Sequence, residues 1–197
     1  INDGSISKYI NRPISKWMTS KIIDYPLTPN QISIAVFFIS VFSGLIISIE
    51  GYFFLLLGAL LAQLSSILDG CDGEIARLKL LESKFGGWFD RVLDRYSDLF
   101  ILMGLTFHTY FIHKTLTVFF IGFIVVGGKI ISSYTAFVYD TVVSAHNNFR
   151  IGRDLIIFII LIGALFNIPY ITLVVLAFIM NAEVCKRLWI LKDKLDY

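Results

Sequence analysis

The 197-residue chain has little of what marks a soluble or secreted protein. Charged residues make up 16% of it, against about 25% in an average soluble domain. The two cysteines, Cys71 and Cys185, are too far apart to form a metal or redox motif. The net charge is +2 and the basic residues are dispersed, so no nucleic-acid partner is expected. These shortages exclude a disordered chain, a disulfide-rich module and an ordinary soluble enzyme.

Apolar residues are correspondingly frequent in the chain. They make up 56% of the chain, and the mean hydropathy is +0.76. A transmembrane helix needs about 20 mostly apolar residues, so six such helices with loops would use nearly the whole chain. We therefore predict an all-α integral membrane protein with six transmembrane helices. The predicted spans are residues 30–49, 52–68, 85–107, 116–138, 154–166 and 170–182.

The first 28 residues are polar and amphipathic. In residues 6–23, apolar side chains recur at helical spacing with basic residues between them. This pattern predicts a helix that lies in the membrane interface. The alternative is a soluble amphipathic helix that packs on a further domain. The chain thus divides into an amphipathic juxtamembrane segment, 1–28, and a six-helix domain, 29–197.

The basic residues predict the orientation in the membrane. Thirteen of the 17 lie in segments on one side of a six-span arrangement, whereas Lys114 lies on the other. Cytoplasmic loops carry the excess of lysine and arginine, so both termini are predicted to be cytoplasmic. An odd number of spans would remove this asymmetry.

Four aspartates lie where predicted spans meet the cytoplasmic side. Asp69 and Asp72 are three residues apart, and Asp90 and Asp94 are four apart, so each pair shares a helix face. If the two helices pack together, four carboxylates converge and repel one another. One or two divalent cations would relieve that repulsion, and oxygen ligands favour Mg²⁺, Mn²⁺ or Ca²⁺ over zinc. The alternative is ion pairing with nearby arginines.

The spacing around these aspartates matches a known signature. From Asp69 the sequence reads DGCDGEIAR, then eight residues, Gly86, three residues, Asp90, three residues and Asp94. This resembles the motif of the CDP-alcohol phosphotransferase family, D-x2-D-G-x2-A-R-x8-G-x3-D-x3-D, at all eight fixed positions. Six spans and an interfacial N-terminal helix agree with that family's architecture.

The resemblance implies a reaction, a cofactor and a set of site residues. A phospho-alcohol group would pass from a CDP-linked donor to a hydroxyl acceptor, and CMP would be released. Asp94 would be the general base, and two Mg²⁺ or Mn²⁺ ions would be bound by Asp69, Asp72, Asp90 and Asp94. The resemblance also implies a homodimer. The implied donor-binding residues are Asn30, Asp69, Asp72, Gly73, Ala76, Arg77, Ser83 and Gly86.

Basic residues indicate the kind of acceptor. Lys129 falls within the fourth span and needs an anionic partner or a wet cavity. If Arg150, Arg153 and Arg187 reach the same cavity, the acceptor carries a phosphate, as in family members that use inositol phosphate. The alternative is that these three arginines are topology and lipid-headgroup charges.

Residues 3–12, 28–33 and 68–78 resemble one branch of the family. That branch joins CDP-inositol to inositol 1-phosphate, giving a phosphorylated compatible-solute precursor, and its membrane domain often follows a soluble cytidylyltransferase. A start at Ile1 would suit a chain cut after such a domain. One alternative is a phospholipid synthase that uses CDP-diacylglycerol with inositol phosphate or glycerol phosphate. A cation transporter is disfavoured, because the acids gather in the cytoplasmic half. The active site is therefore expected near the cytoplasmic side of a cell membrane.

Overall fold

The computed structural model describes residues 6–142 and 151–195, and within these ranges every regular element is a helix. This confirms the all-α prediction for the described part of the chain. A π-helical turn, Ser7–Asn11, leads directly into the first α-helix. The α-helices are α1 (Arg12–Ile22), α2 (Pro29–Ile47), α3 (Tyr52–Leu78), α4 (Lys84–His113), α5 (Leu116–Val142), α6 (Arg153–Leu165) and α7 (Pro169–Leu195).

Two hydroxyl residues fix the starts of α2 and α4. The Thr28 hydroxyl accepts a bond from the Gln31 backbone N–H, and the Gln31 side chain accepts one from the Thr28 N–H at 3.0 Å. The Ser83 hydroxyl accepts from the Gly86 N–H at 2.9 Å. Such caps satisfy backbone donors that the first helical turn leaves unpaired. Both caps lie beside the candidate site described below.

Three helices in the described part of the chain are long and apolar enough to cross a membrane. They are α2, α3 and residues Leu116–Ala136 of α5, with mean hydropathies of 2.0, 1.7 and 2.0. Large aromatic side chains on α2 and α5, including Phe42 and Phe123, are exposed. Exposed aromatic side chains on apolar helices suit contact with lipid. The chain is therefore a multi-pass membrane protein. Its six spans and its cytoplasmic termini stay predictions.

Two predicted boundaries shift in the structure. The second apolar segment does not stop at Leu68, because α3 continues as one helix through the whole acidic motif to Leu78. The third predicted span does not end at residue 107, since α4 runs to His113 and ends where Lys114 adopts a left-handed backbone with φ 50°. His108 is buried there, with Nδ1 2.9 Å from the Ile49 carbonyl oxygen.

The helices form a bundle in which α2 packs against both α3 and α4. Helix α5 packs mainly on α7, and α6 lies against α3. Buried aliphatic side chains fill the centre, among them Leu55, Leu102, Leu105, Val125, Ile157, Ile160, Leu176 and Met180. Since α2 contacts both motif-bearing helices, it holds the acidic segments of α3 and α4 near each other.

Helices α2 and α4 cross at a pair of glycines. A Cβ added to Gly104 would lie 2.1 Å from the Gly44 carbonyl oxygen, and one added to Gly44 would lie 2.5 Å from the Phe100 carbonyl oxygen. The backbones therefore touch at this crossing, and neither position has room for a side chain.

We expect Gly104→Ala to lower the free energy of unfolding in detergent by at least about 1–3 kcal/mol, the usual cost of overpacking. The obstacle is backbone, which cannot rotate away as a side chain can. Thermal unfolding of the purified protein measures the effect. Gly127→Ala is the matched control, because a Cβ there meets nothing within 4 Å. Equal stability of the two variants would contradict the close crossing.

Helix α1 turns its small polar side chains toward the bundle. Ser15 and Thr19 are buried and donate hydrogen bonds to Glu74 of α3 at 2.9 and 2.7 Å. Tyr9 and Trp17 are 72% and 63% exposed. These two aromatic side chains thus point away from the bundle, whereas Met18 and Ile22 pack against it. The exposed aromatic side chains support the membrane-interface hypothesis. A further domain stays the alternative partner for these side chains.

Candidate active site

Three aspartates from two helices meet in one cluster. Asp69 of α3 and Asp90 and Asp94 of α4 each offer a carboxylate oxygen, and these oxygens lie within 4.8 Å of one another. Asp90 and Asp94 share a face because they are one helical turn apart. Three carboxylates at this spacing suit a hard divalent cation with oxygen ligands. We call Asp69, Asp90 and Asp94 the aspartate cluster.

Asp72, the fourth predicted metal ligand, lies beside the aspartate cluster rather than in it. Its carboxylate accepts hydrogen bonds from the Ser33 hydroxyl and from the Gly73 N–H, both at 2.5 Å. Its side chain is buried among these partners. Asp72 and Asp90 line the same cavity, so Asp72 remains near any ion in the cluster, and its role as a ligand stays a prediction.

A cavity of about 370 Å³ lies between the starts of α2 and α4 and the last turns of α3. We call it the donor cavity, because seven of the eight predicted donor-binding residues line it. The seven are Asn30, Asp72, Gly73, Ala76, Arg77, Ser83 and Gly86. The eighth, Asp69, lies in the aspartate cluster. Asp90 belongs to both, so the donor cavity opens directly onto the cluster.

The glycines of the motif keep the donor cavity open. A Cβ at Gly86 would lie 2.9 Å from the Ser83 hydroxyl and 3.2 Å from the Asn30 side-chain oxygen. A side chain there would therefore crowd both the α4 cap and a predicted donor contact. The lack of space explains why this motif position is glycine, since a side chain there would project from the wall into the cavity.

A second cavity of about 210 Å³ also borders the aspartate cluster. Asp69, Asp94, Arg153 and Asp154 line it, together with small polar side chains of the N-terminal helical segment. Asp90 thus borders one cavity, and Asp69 and Asp94 border the other. An arrangement of this kind lets two polar molecules reach different members of one aspartate cluster.

Arg153, at the start of α6, reaches into the aspartate cluster. Its Nη1 is 2.9 Å from Asp69 Oδ1 and also contacts Asp94, and its Nε is 3.2 Å from Asp98 Oδ1. The alternative predicted from the sequence pairs these aspartates with the nearby Arg77, Arg91 and Arg95. The partner is instead an arginine 84 residues from Asp69, and its predicted role toward the acceptor phosphate stays a prediction.

The remaining predicted acceptor residues lie on α5 and α7. Lys129 Nζ is 3.2 Å from Asp98 Oδ2, so its anionic partner is Asp98. Arg187 pairs with Glu183 at 3.1 Å and donates to the Ser132 carbonyl oxygen at 2.5 Å. Lys129 and Arg153 therefore contact the same carboxylate, that of Asp98, and Arg187 lies beside α5. Arg150 lies outside the described residues.

Two acidic residues that organise the site, Asp98 and Glu74, are not among the site residues predicted from the sequence. Asp98 continues the four-residue row of Asp90 and Asp94, and this spacing was its available signal. Glu74 stands at a variable position within the motif and accepts hydrogen bonds from Ser15 and Thr19. It thereby fastens α1 to the motif-bearing end of α3. Nothing in its local sequence indicates a partner 55 residues away.

A family of known proteins matches most of this chain. A family model described as CDP-alcohol phosphatidyltransferase matches residues 26–185. The "bifunctional IPC transferase and DIPP synthase" of Rubrobacter xylanophilus is 33% identical over 195 residues, covering 97% of this chain and 43% of that protein. The protein of the same name from Archaeoglobus fulgidus is 38% identical over 173 residues, covering 84% and 33%. The chain thus spans less than half the length of these relatives.

A solved structure shares the fold. The crystal structure of Mycobacterium tuberculosis phosphatidylinositol phosphate synthase with CDP-DAG bound superposes with a TM-score of 0.74 at 21% identity. The match covers 89% of this chain and 92% of that one. At this level of identity the likeness establishes the arrangement of helices, and the chemistry has to be argued from the site.

Proposed function

Because this chain is an enzyme of the CDP-alcohol phosphatidyltransferase family, we propose that it transfers a phosphoinositol group from CDP-inositol to inositol 1-phosphate and releases CMP. One observation carries the proposal. A cavity lined by the predicted donor-binding residues includes Asp90 of the aspartate cluster, and a second polar cavity borders Asp69 and Asp94 of the same cluster. The names of the relatives, IPC transferase and DIPP synthase, support the choice of substrates.

The donor cavity would hold the CDP part of the donor. Arg77 lines this cavity and offers a planar guanidinium that can bind a diphosphate through two parallel hydrogen bonds. Gly73 and Gly86 leave the backbone open to the nucleotide, and Asn30 and Ser83 supply polar contacts at the rim. The diphosphate would then point toward Asp90, where the donor cavity meets the aspartate cluster.

Asp69, Asp90 and Asp94 fit a divalent cation by their donor atoms and spacing, with Asp72 beside them. We propose Mg²⁺ or Mn²⁺, as two ions. When bound, these ions would supply charge neutralisation for the diphosphate and for the departing CMP. The carboxylates of this chain would hold the ions in place, and the two helices that carry them, α3 and α4, would align the two substrates.

Asp94 is the proposed catalytic residue. It borders the second cavity, where the acceptor hydroxyl would lie. As the acceptor oxygen forms a bond to the phosphorus that carries the inositol, Asp94 takes the hydroxyl proton and the bond from that phosphorus to CMP breaks. A carboxylate placed beside divalent ions stays ionised and can accept this proton. The acceptor phosphate would meet Lys129, Arg153 and Arg187, joined by Arg150.

In the membrane, the proposed arrangement has six spans, both termini in the cytoplasm and the active site near the cytoplasmic side. The concentration of basic residues on one side supports this orientation. A homodimer, implied by the family resemblance, belongs to the same proposal. Soluble cytoplasmic substrates would then reach both cavities from the side on which they are made.

The test is CMP release by the purified protein with Mg²⁺ and inositol 1-phosphate, comparing CDP-inositol with CDP-diacylglycerol. Turnover with CDP-inositol supports the proposal. Turnover with CDP-diacylglycerol alone would identify a phospholipid synthase and overturn the proposed donor. Asp94→Asn protein, prepared in parallel, is the control for contaminating transferases.

A further inference from the structure

Asp98 is a buried carboxylate that meets cations from three helices. Its side chain is 5% exposed. Oδ1 lies 3.2 Å from Arg153 Nε of α6, and Oδ2 lies 3.2 Å from Lys129 Nζ of α5 and 3.4 Å from Arg95 Nη1 of α4. A carboxylate this deep in an apolar bundle is costly unless paired. Both of its oxygens are used to hold cations.

The position of Asp98 links it to the reaction centre. It lies one helical turn after Asp94, on the same face of α4. That row begins with Gly86 and Asp90 in the donor cavity, passes Asp94 at the second cavity and ends at Asp98. Arg153 completes the connection, since its guanidinium contacts Asp98 at one end and Asp69 and Asp94 at the other.

Lys129 depends on this carboxylate. Its side chain is 9% exposed, and the ammonium lies within a helix apolar enough to cross a membrane. Without a counter-charge, an ammonium in that position would reorient toward water or a lipid headgroup. Asp98 therefore determines where the Lys129 charge is held, and it holds the Arg153 charge from its other oxygen.

We propose that Asp98 is a positioning residue for the acceptor: it keeps Lys129 and Arg153 at a fixed separation, so that both cations meet the acceptor's phosphate. This rests on the function proposed above. An ammonium has three donors and a guanidinium has five, so Asp98 and a phosphate can share the same two cations.

The test compares Asp98→Asn with the wild type in steady-state kinetics, varying donor and acceptor separately. We expect the acceptor KM to rise at least about tenfold, because Lys129 loses its ionised partner and Arg153 loses one of its three. The donor KM should change less than about twofold, since Asp98 is independent of the donor cavity. Calorimetric titration of the Mg²⁺-loaded protein with inositol 1-phosphate measures the same loss without turnover. Asp98→Glu, which keeps the charge, should recover part of the affinity.

Two further variants sharpen the result. In a Lys129→Ala background, Asp98→Asn should add far less than it does alone, because the shared partner is gone. Glu50→Gln, which removes an exposed carboxylate between α2 and α3, is the matched charge control. It should leave both KM values at those of the wild type.

Three outcomes would overturn the proposal. A lowered acceptor KM in Asp98→Asn would mean that the carboxylate competes with the phosphate. Parallel loss of melting temperature and of both substrate affinities would mean a purely structural ion pair. An unchanged acceptor KM and affinity would remove Asp98 from the acceptor site. Failure of the wild type to release CMP from any donor would instead refute the proposed function itself.

Discussion

Asp94→Asn is expected to reduce CMP release by about 10²–10⁴-fold, the range for removal of a general base. The amide occupies nearly the same space as the carboxylate but cannot take the acceptor's proton. Affinity for CDP-inositol should stay near that of the wild type, because Asp94 is not among the residues that line the donor cavity. Turnover is measured by CMP release, and donor affinity by calorimetry without acceptor.

The control for Asp94→Asn is Asp24→Asn, which changes an exposed aspartate between α1 and α2. It should retain wild-type turnover and show that loss of one carboxylate does not by itself lower activity. Equal losses of turnover and of donor affinity in Asp94→Asn would contradict the role of base. They would indicate that Asp94 acts mainly in holding the donor.

The donor side of the site could be predicted from the sequence because its residues are local. Asp72, Gly73, Ala76 and Arg77 follow one another on α3, so helical periodicity alone places them together. The caps at Thr28 and Ser83 are read from single hydroxyl residues before apolar runs. The family motif supplied the pairing of α3 with α4, which helical spacing alone does not give.

The acceptor side could not be predicted in the same way, because its contacts join distant segments. Arg153 reaches Asp69 across 84 residues, and Lys129 meets Asp98 across two helices. Which carboxylate an arginine selects depends on how the helices rotate against each other, and apolar periodicity does not specify that rotation. The burial of His108 against the Ile49 carbonyl group was missed for the same reason.

Replacement of a cluster carboxylate that also lines the donor cavity should weaken metal binding as well as catalysis. Asp90→Asn is the sharpest case, because Asp90 belongs both to the cluster and to the donor cavity. We expect turnover to fall by at least about 10²–10³-fold, the loss typical when one electrostatic contact to the developing charge is removed. The affinity for Mn²⁺, followed by the electron paramagnetic resonance signal of the free ion, should fall in parallel.

The matched control is Glu82→Gln, since Glu82 lines the same donor cavity but lies outside the aspartate cluster. If general negative charge in the cavity attracted the ions, both variants would lose Mn²⁺ affinity to similar extents. If the cluster provides direct ligands, Asp90→Asn alone loses it, and higher Mg²⁺ concentrations restore part of its turnover. Asp69 and Asp94 both pair with Arg153, so these two carboxylates should not hold the ion without Asp90. Wild-type Mn²⁺ affinity in Asp90→Asn would therefore refute the metal site.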